Sequence, residues 1–290
     1  MSAALSQAEA EAADTLTRLA LSEDLGETGD RTSIATIPEA TTARAAFVAR
    51  AVGVVAGLPI AERVCRAVSP ALTFSPAVPD GTPTSRGMVL ATVAGPLRAI
   101  LASERTALNF LQHLSGVASL TRKFVDAASG FRAKILDTRK TLPGWRLLEK
   151  YAVRAGGGTN HRIGLYDGIL IKDNHLAGLG GDVRRAVESA RDCPGNSELQ
   201  VEVEVDTLEQ LEVAFAAKVD IVLLDNMSLD QLRAAVARRD VVAPGVLLEA
   251  SGGVNLTTVR DIASTGVDRI SVGALTHSAP ALDIALDYLA

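Results

Sequence analysis

The sequence predicts an α/β protein: an incomplete (β/α) barrel of about six parallel strands, preceded by a smaller α+β unit. Three observations carry this reading. From residue 130 onward, apolar runs alternate regularly with helical stretches. The runs are continuous rather than alternating, which is the pattern of parallel strands covered on both faces. The first hundred residues lack that rhythm and break into short strands and turns rich in Pro and Gly. An open doubly wound sheet is the alternative, and the lack of GxGxxG after the first of the later strands counts against it.

The elements follow in order. Residues 8–22 form an Ala/Leu helix, ARAAFVARAVGVVAG (43–57) two short strands, LPIAERVCRAV (58–68) a helix and MVLATVAGP (88–96) another strand. The interval 69–87 reads as turns and loop. Residues 97–129 form a strong helix or helix pair. Its apolar face carries Ala107, Phe110, Leu111, Leu114 and Ala118, while Arg105, Asn109 and Gln112 share the opposite face. That polar face suits solvent, a cleft or a subunit contact. Barrel strands are expected at 133–138, 168–173, 199–206, 220–226, 245–253 and 268–274, with helices at 182–192, 207–218, 229–239 and 257–265.

Composition narrows the function. The 290 residues allow about two domains, or one barrel with an appendage. At 48% hydrophobic and 22% charged, the chain is not a disordered one. Lys and Arg total 29 against 34 Asp and Glu, for a net charge of −5, and aromatics are only 3%. These values argue against nucleic acid or anionic membranes as partners. An anionic ligand must therefore be met by a local basic cluster. Cys65 and Cys193 form neither a disulfide framework nor a metal-ligand spacing. The N-terminus is acidic before its first basic residue, Arg18, and no run approaches the ~18 apolar residues of a membrane span. A cytoplasmic protein is expected.

Polar residues gather at the carboxyl end of each predicted strand, where α/β barrels build their sites. They are Asp137-Thr138-Arg139-Lys140, then Lys172-Asp173-Asn174-His175, then Glu202 with Glu204, then Asp225-Asn226, then Glu249 with Ser251-Gly252-Gly253, and finally Ser271 with Gly273. Arg139, Lys140, Arg154, Arg162 and Lys172, with His161, supply the basic cluster. Glu202 and Glu204 alternate with valines, so both carboxylates point to one face and suit sugar hydroxyls, or Mg²⁺ through water. The small residues of SGGV (251–254) and SVGA (271–274), after the last two strands, suit a phosphate. No Ser–His–Asp set or reactive Cys stands out. The chemistry reads as positioning and electrostatics.

The same segments resemble the quinolinate phosphoribosyltransferase family along nearly the whole chain. The resemblance rests on SERTALNFLQHLSGVAS (103–119), ILDTRKTLPGWR (135–146), GGGTNHRIGLYDGILIKDNH (156–175), EVEV (202–205), LLDNM (223–227), EASGGV (249–254) and ISVGALTHS (270–278). LLDNM does not match the tandem acidics of the commoner phosphoribosyltransferase fold.

The resemblance implies an N-terminal α/β sandwich over 1–117, completed by 275–290, and a catalytic barrel over 118–274. It implies a Mg²⁺-dependent homodimer that joins quinolinate to phosphoribosyl pyrophosphate, giving nicotinate mononucleotide, pyrophosphate and CO₂. It places the quinolinate carboxylates on Arg139, His161, Arg162 and Lys172, with Arg105 supplied by the other subunit. Lys140, beside Thr138, attends the pyrophosphate. Glu204 and Asp225 take the ribose hydroxyls and the metal, and with Lys140 and Lys172 form the catalytic set. Ser251, Gly252, Gly253, Val272, Gly273 and Ala274 take the 5-phosphate. Two other readings use the same residues: a barrel lyase with Lys172 as Schiff-base nucleophile, and a non-catalytic relative serving anion transport.

Overall fold

The computed structural model describes residues 4–289. The chain opens on helix α1 (Gln7–Leu25), whose start is fixed by a capping box between Ser6 and Glu9. Helix α2 (Arg31–Thr36) is capped by Asp30. Then come β1 (Thr42–Ala49), β2 (Gly53–Val54), α3 (Leu58–Val68), β3 (Thr73–Pro76), β4 (Pro83–Thr84), β5 (Val89–Pro96) and α4 (Leu97–Ala127). The interval expected as loop thus holds two short strands, and 97–129 is one helix rather than two.

Beyond α4 the chain alternates as its apolar runs foretell. The elements are β6 (Lys134–Leu136), α5 (Arg146–Ala155), β7 (Ile169–Ile171), α6 (Asp173–Ala177), α7 (Val183–Asp192), β8 (Val201–Val205) and α8 (Leu208–Ala216). They continue with β9 (Ile221–Asp225), α9 (Leu229–Val242), β10 (Leu247–Ser251), α10 (Val259–Ser264), β11 (Arg269–Ser271), α11 (Ala274–His277) and β12 (Ile284–Leu289).

Two compact units result. The first takes the described chain up to Arg122, then Thr141–Gly157, then everything from Leu275 onward; the second takes Lys123–Lys140 and Gly158–Ala274. The boundary expected at 117/118 therefore moves to 122/123, and residues 141–157 leave the barrel for the first unit. Residues 1–3 and 290, the outer ends of the expected ranges, lie outside the described residues.

The physical reason for the transfer is the burial of α5. Tyr151 is fully buried and donates to Asp80 at 2.6 Å, and Trp145 stacks on Phe110 of α4 with ring centroids 4.8 Å apart. The first unit is built on an antiparallel sheet of order β12-β1-β5-β3. Its edge strand β12 runs beside β1 from the pair Arg44–Leu289 to Ala49–Ile284. Gln112, expected on the polar stripe of α4, turns its amide to Ile284 O at 2.7 Å and so helps anchor this last strand. Arg105 and Asn109 of the same stripe are exposed.

The second unit is a six-stranded parallel sheet of order β6-β11-β10-β9-β8-β7. This is the chain's own order with its first strand moved to the far edge beside the last, so the sheet curls back on itself. Only the β6–β7 pairing is missing from a closed ring, and a single parallel bridge between Leu136 and Thr159 extends from the β6 edge. That is an incomplete barrel. Val201, Val203 and Val205 are buried on the helix-covered side, which turns Glu202 and Glu204 toward the interior. The same alternation turns Glu249 and Ser251 of β10 inward.

Candidate active site

The strand ends of the second unit enclose a cavity of about 640 Å³. Eleven of the residues expected from the sequence line it: Thr138, Arg139, Lys140, His161, Arg162, Lys172, Glu204, Asp225, Ser251, Gly252 and Gly253. They come from five strand ends and one loop, which is how parallel α/β folds assemble sites from distant sequence.

The cationic side is built from two segments. After β6, Lys140 N–H donates to Thr138 Oγ1 at 3.0 Å, folding Arg139 and Lys140 into a tight turn. The second segment is held from below by Asp137, which is fully buried. Its carboxylate accepts His161 N–H at 2.9 Å and the Asn160 amide at 2.5 Å. Arg162 follows and donates through Nη1 to Gly168 O at 2.9 Å. Burial, and the like charge of Arg139 beside it, lower the pKa of Arg162. An arginine remains charged regardless, so two neighbouring guanidiniums on a cavity wall favour an anion.

The anionic side comes from the next strands. Lys172, nearly half exposed, points its Nζ at Glu204 Oε2, 3.1 Å away. This is a positioned cation at a polar mouth, not the apolar pocket that activates a Schiff-base lysine. Asp225 ends β9, and Asn226 donates to its Oδ2 at 2.6 Å. Asn226 has φ +52°, a left-handed conformation that Asn tolerates better than most residues. Its N–H donates to Ser251 O at 3.0 Å, so the carboxylate corner and the small-residue loop form one piece. Gly252 is required there: at φ +94°, a Cβ on it would lie 2.2 Å from Asn226 Oδ1 and 3.0 Å from the Asn226 backbone nitrogen.

Three expectations need correction. His161 lines the cavity, but both of its ring nitrogens are engaged within the chain. Its Nε2 lies 3.2 Å from Glu202 and 3.4 Å from Glu249, and its Nδ1 accepts Arg162 N–H at 2.7 Å. Glu202 and Glu204 share a face but divide in role, because Glu202, only 3% exposed, sits below the cavity against His161. Of Val272-Gly273-Ala274, Val272 is buried and its N–H is committed to Leu136 O at 2.9 Å. Neither Gly273 nor Ala274 lines the cavity either, where Ser271 alone represents β11. Arg105 belongs to the first unit, on α4. Asn226 and Glu249, read from the sequence as strand-end polar residues without an assigned role, stand on the cavity wall, and Arg269, which the sequence reading omits, has its Nε 3.0 Å from Glu249 Oε2. Inward alternation on β11, shared with Ser271, is the signal for Arg269.

The cluster below the cavity retains a proton. Burial alone would depress the His161 imidazole, but Glu202 and Glu249 outweigh it and push the group up to about 9. Burial likewise raises Glu202. Because Nδ1 accepts Arg162 N–H, the ring's own proton lies on Nε2, which faces Glu202 and Glu249. Both shifts have the same sign: the folded state holds the proton more tightly than the unfolded chain.

Two parts of one family match the chain in sequence. The quinolinate phosphoribosyl transferase N-terminal domain matches residues 30–115 and the C-terminal domain residues 117–287. The chain belongs to the quinolinate phosphoribosyl transferase family. It is 48% identical over 287 residues to a carboxylating nicotinate-nucleotide pyrophosphorylase of Mycobacterium leprae, covering 98% of this chain and 99% of that protein. It is 43% identical to a decarboxylating quinolinate phosphoribosyltransferase of Nicotiana glauca, covering 93% and 80%. Among solved structures, the nicotinate-nucleotide pyrophosphorylase of Francisella tularensis superposes with a TM-score of 0.89 at 39% identity, covering 96% of each chain.

Two outcomes follow from this geometry. Gly252→Ala should destabilise the protein by about 2–3 kcal/mol in chemical denaturation, combining strain with displacement of Asn226. Gly253→Ala, also at positive φ but in open space, should cost only the ~1 kcal/mol of the left-handed backbone; equal costs would show that Asn226 yields freely. The proton held by His161 contributes stability that is fully present below pH 6.5 and is lost as pH rises through about 9. The thermal midpoint should therefore fall across that window, and His161→Asn should flatten the fall. A flat profile in the unmodified protein would contradict the retained proton.

Proposed function

We propose that this chain transfers the phosphoribosyl group of phosphoribosyl pyrophosphate to quinolinate, with decarboxylation, giving nicotinate mononucleotide, pyrophosphate and CO₂. The observation that carries the reading is the meeting of two charge sets in one cavity. Arg139, Lys140, Arg162 and Lys172 line it together with Glu204, Asp225 and the Ser251–Gly253 loop, and Lys172 Nζ lies 3.1 Å from Glu204 Oε2. The names of the relatives in the same family support it.

The chemistry needs those residues. Quinolinate is a dianion and phosphoribosyl pyrophosphate carries several more negative charges, so both enter one pocket only if cations offset their repulsion. Arg139, Arg162 and Lys172 take the two carboxylates, and Lys140 takes the departing pyrophosphate. As that group leaves, positive charge grows at the anomeric carbon, and the carboxylates of Glu204 and Asp225 stabilise it. The ring nitrogen then bonds to that carbon and becomes cationic. Its positive charge stabilises the electron pair left on the adjacent ring carbon when that carboxylate departs as CO₂, and a proton then bonds to that carbon. Gly252 and Gly253, both at positive φ, let the backbone approach the 5-phosphate.

Glu204 and Asp225 also fit Mg²⁺. They are hard oxygen donors on adjacent strands, and each already has one oxygen held by a neighbour, Lys172 or Asn226. They would hold the ion largely through water, where it would offset pyrophosphate charge. We assign the protein to the cytoplasm; no described helix is long and apolar enough to cross a membrane, and both cysteines are free thiols. The active form in this reading is a homodimer in which the exposed Arg105 reaches the partner's cavity.

Nicotinate should be a poor substrate, since a site built for two carboxylates leaves cations unpaired with one, at a cost of about 1–3 kcal/mol or more. Comparable turnover of nicotinate and quinolinate would overturn this. Arg105 is tested by subunit mixing. Arg105→Ala and Lys140→Ala, each inactive alone, should together regain about a quarter of wild-type sites, because a two-fold exchange leaves one intact site per heterodimer. No recovery despite demonstrated heterodimers would place Arg105 in its own chain's site.

A further inference from the structure

Beneath the cations sits a group that the proposed reaction does not itself use. Glu249 on β10 is fully buried, and Arg269 stands directly beside it as its register partner on β11. The Arg269 guanidinium holds Oε2 at 3.0 Å, leaving Oε1 to face His161 Nε2 at 3.4 Å. Glu202 approaches the same nitrogen from β8 at 3.2 Å. Across the ring, Nδ1 receives Arg162 N–H at 2.7 Å. Ion-pair contacts, not hydrogen bonds, thus link Arg269 to Glu249 and Glu249 to His161, and a hydrogen bond links His161 to the Arg162 backbone.

Packing alone does not orient this ring. His161 and Arg162 line the main cavity on one side, and on the other they line a second hollow of about 230 Å³ that also borders Glu202 and Arg269. His161 thus stands between the two hollows, with its ring nitrogens in polar contact with Glu202, Glu249 and the Arg162 backbone. A flip of the ring would leave Arg162 N–H without its acceptor and both carboxylates without a proton between them.

We propose that Glu249, braced by Arg269, is a positioning residue for the dicarboxylate half of the cavity: it fixes the His161 ring, and through it the Arg162 backbone, so that the Arg162 guanidinium faces the ligand. This rests on the reading of that half as the quinolinate site. In this proposal Glu249 acts at one remove, through the His161 ring. Its effect is confined to one substrate, because Lys140, Asp225 and the Ser251–Gly253 loop are supported by other bonds.

The test compares Glu249→Gln with Glu249→Gln/Arg269→Gln, reading quinolinate affinity by calorimetry, both KM values and the thermal midpoint. The single variant should weaken quinolinate binding by roughly tenfold or more, the scale of one hydrogen bond to a charged group, and raise the phosphoribosyl pyrophosphate KM far less. It should also lower the midpoint, by leaving the partly buried Arg269 without its opposite charge. The double variant removes both charges of the pair and should recover the midpoint, while quinolinate binding stays weak. If the single variant does not fold, the double variant alone decides. Recovery of midpoint and quinolinate affinity together, or equal loss of both substrates, would reduce Glu249 to a structural role and overturn the proposal. Failure of the unmodified protein to bind quinolinate would remove the substrate reading along with it, whereas unchanged affinity in both variants removes only the inference.

Discussion

A carboxylate turned into the interior of a curled parallel sheet must find a cation, and much of the second unit is arranged around that requirement. Strand alternation sends Glu202, Glu204 and Glu249 inward while the flanking apolar residues go to the helices. Removing one partner from a buried ion pair costs on the order of 3–5 kcal/mol, far more than the pair itself contributes. The sheet interior is therefore divided into matched sets. Glu202 and Glu249 share His161 and Arg269 below, and Glu204 meets Lys172 above. The lower set is closed on itself and holds its proton. The upper set has a half-exposed member and can exchange one partner for a ligand.

That difference in exposure makes the upper layer a site. Lys172 can turn from Glu204 to an incoming carboxylate without stranding a charge in a dry interior, because solvent reaches both groups. Arg139 and Arg162 press their like charges together on the same wall, and an anion between them relieves a repulsion already present in the fold. The favourable term in binding a dianion is then partly pre-organised, since Gly168 O holds the Arg162 guanidinium and the buried Asp137 holds the His161 backbone beside it before any ligand arrives. Asn226 does the same for the opposite wall. Its left-handed backbone and its amide tie Asp225 to Ser251, so that the carboxylate and the small-residue loop keep a fixed separation.

The sequence carried the parallel strands plainly, because burial on both faces leaves continuous apolar runs that no surface helix produces. It also carried the mouth of the cavity, since charges of both signs at successive strand ends have no packing purpose. What it hid was anything decided by contact between distant segments. α5 has an ordinary amphipathic pattern, and only the burial of Tyr151 against Asp80 shows that it leaves the barrel for the first unit. β12 is six residues long and is a strand because β1 offers it an edge. His161 is the sharpest case. As a residue it looks like a ligand for carboxylates, and it becomes a bracket because two carboxylates of its own chain reach Nε2 first.

Arg269 completes this argument. Placed at the start of β11, it has no neighbours in sequence that suggest chemistry, and it lies at the opposite end of its strand from Ser271. Yet without it the lower cluster would hold two carboxylates against a single imidazole. The guanidinium supplies the second positive charge, with its Nε 3.0 Å from Glu249 Oε2. The orientation of a ring at the cavity floor is thus set by a cation that never borders the cavity.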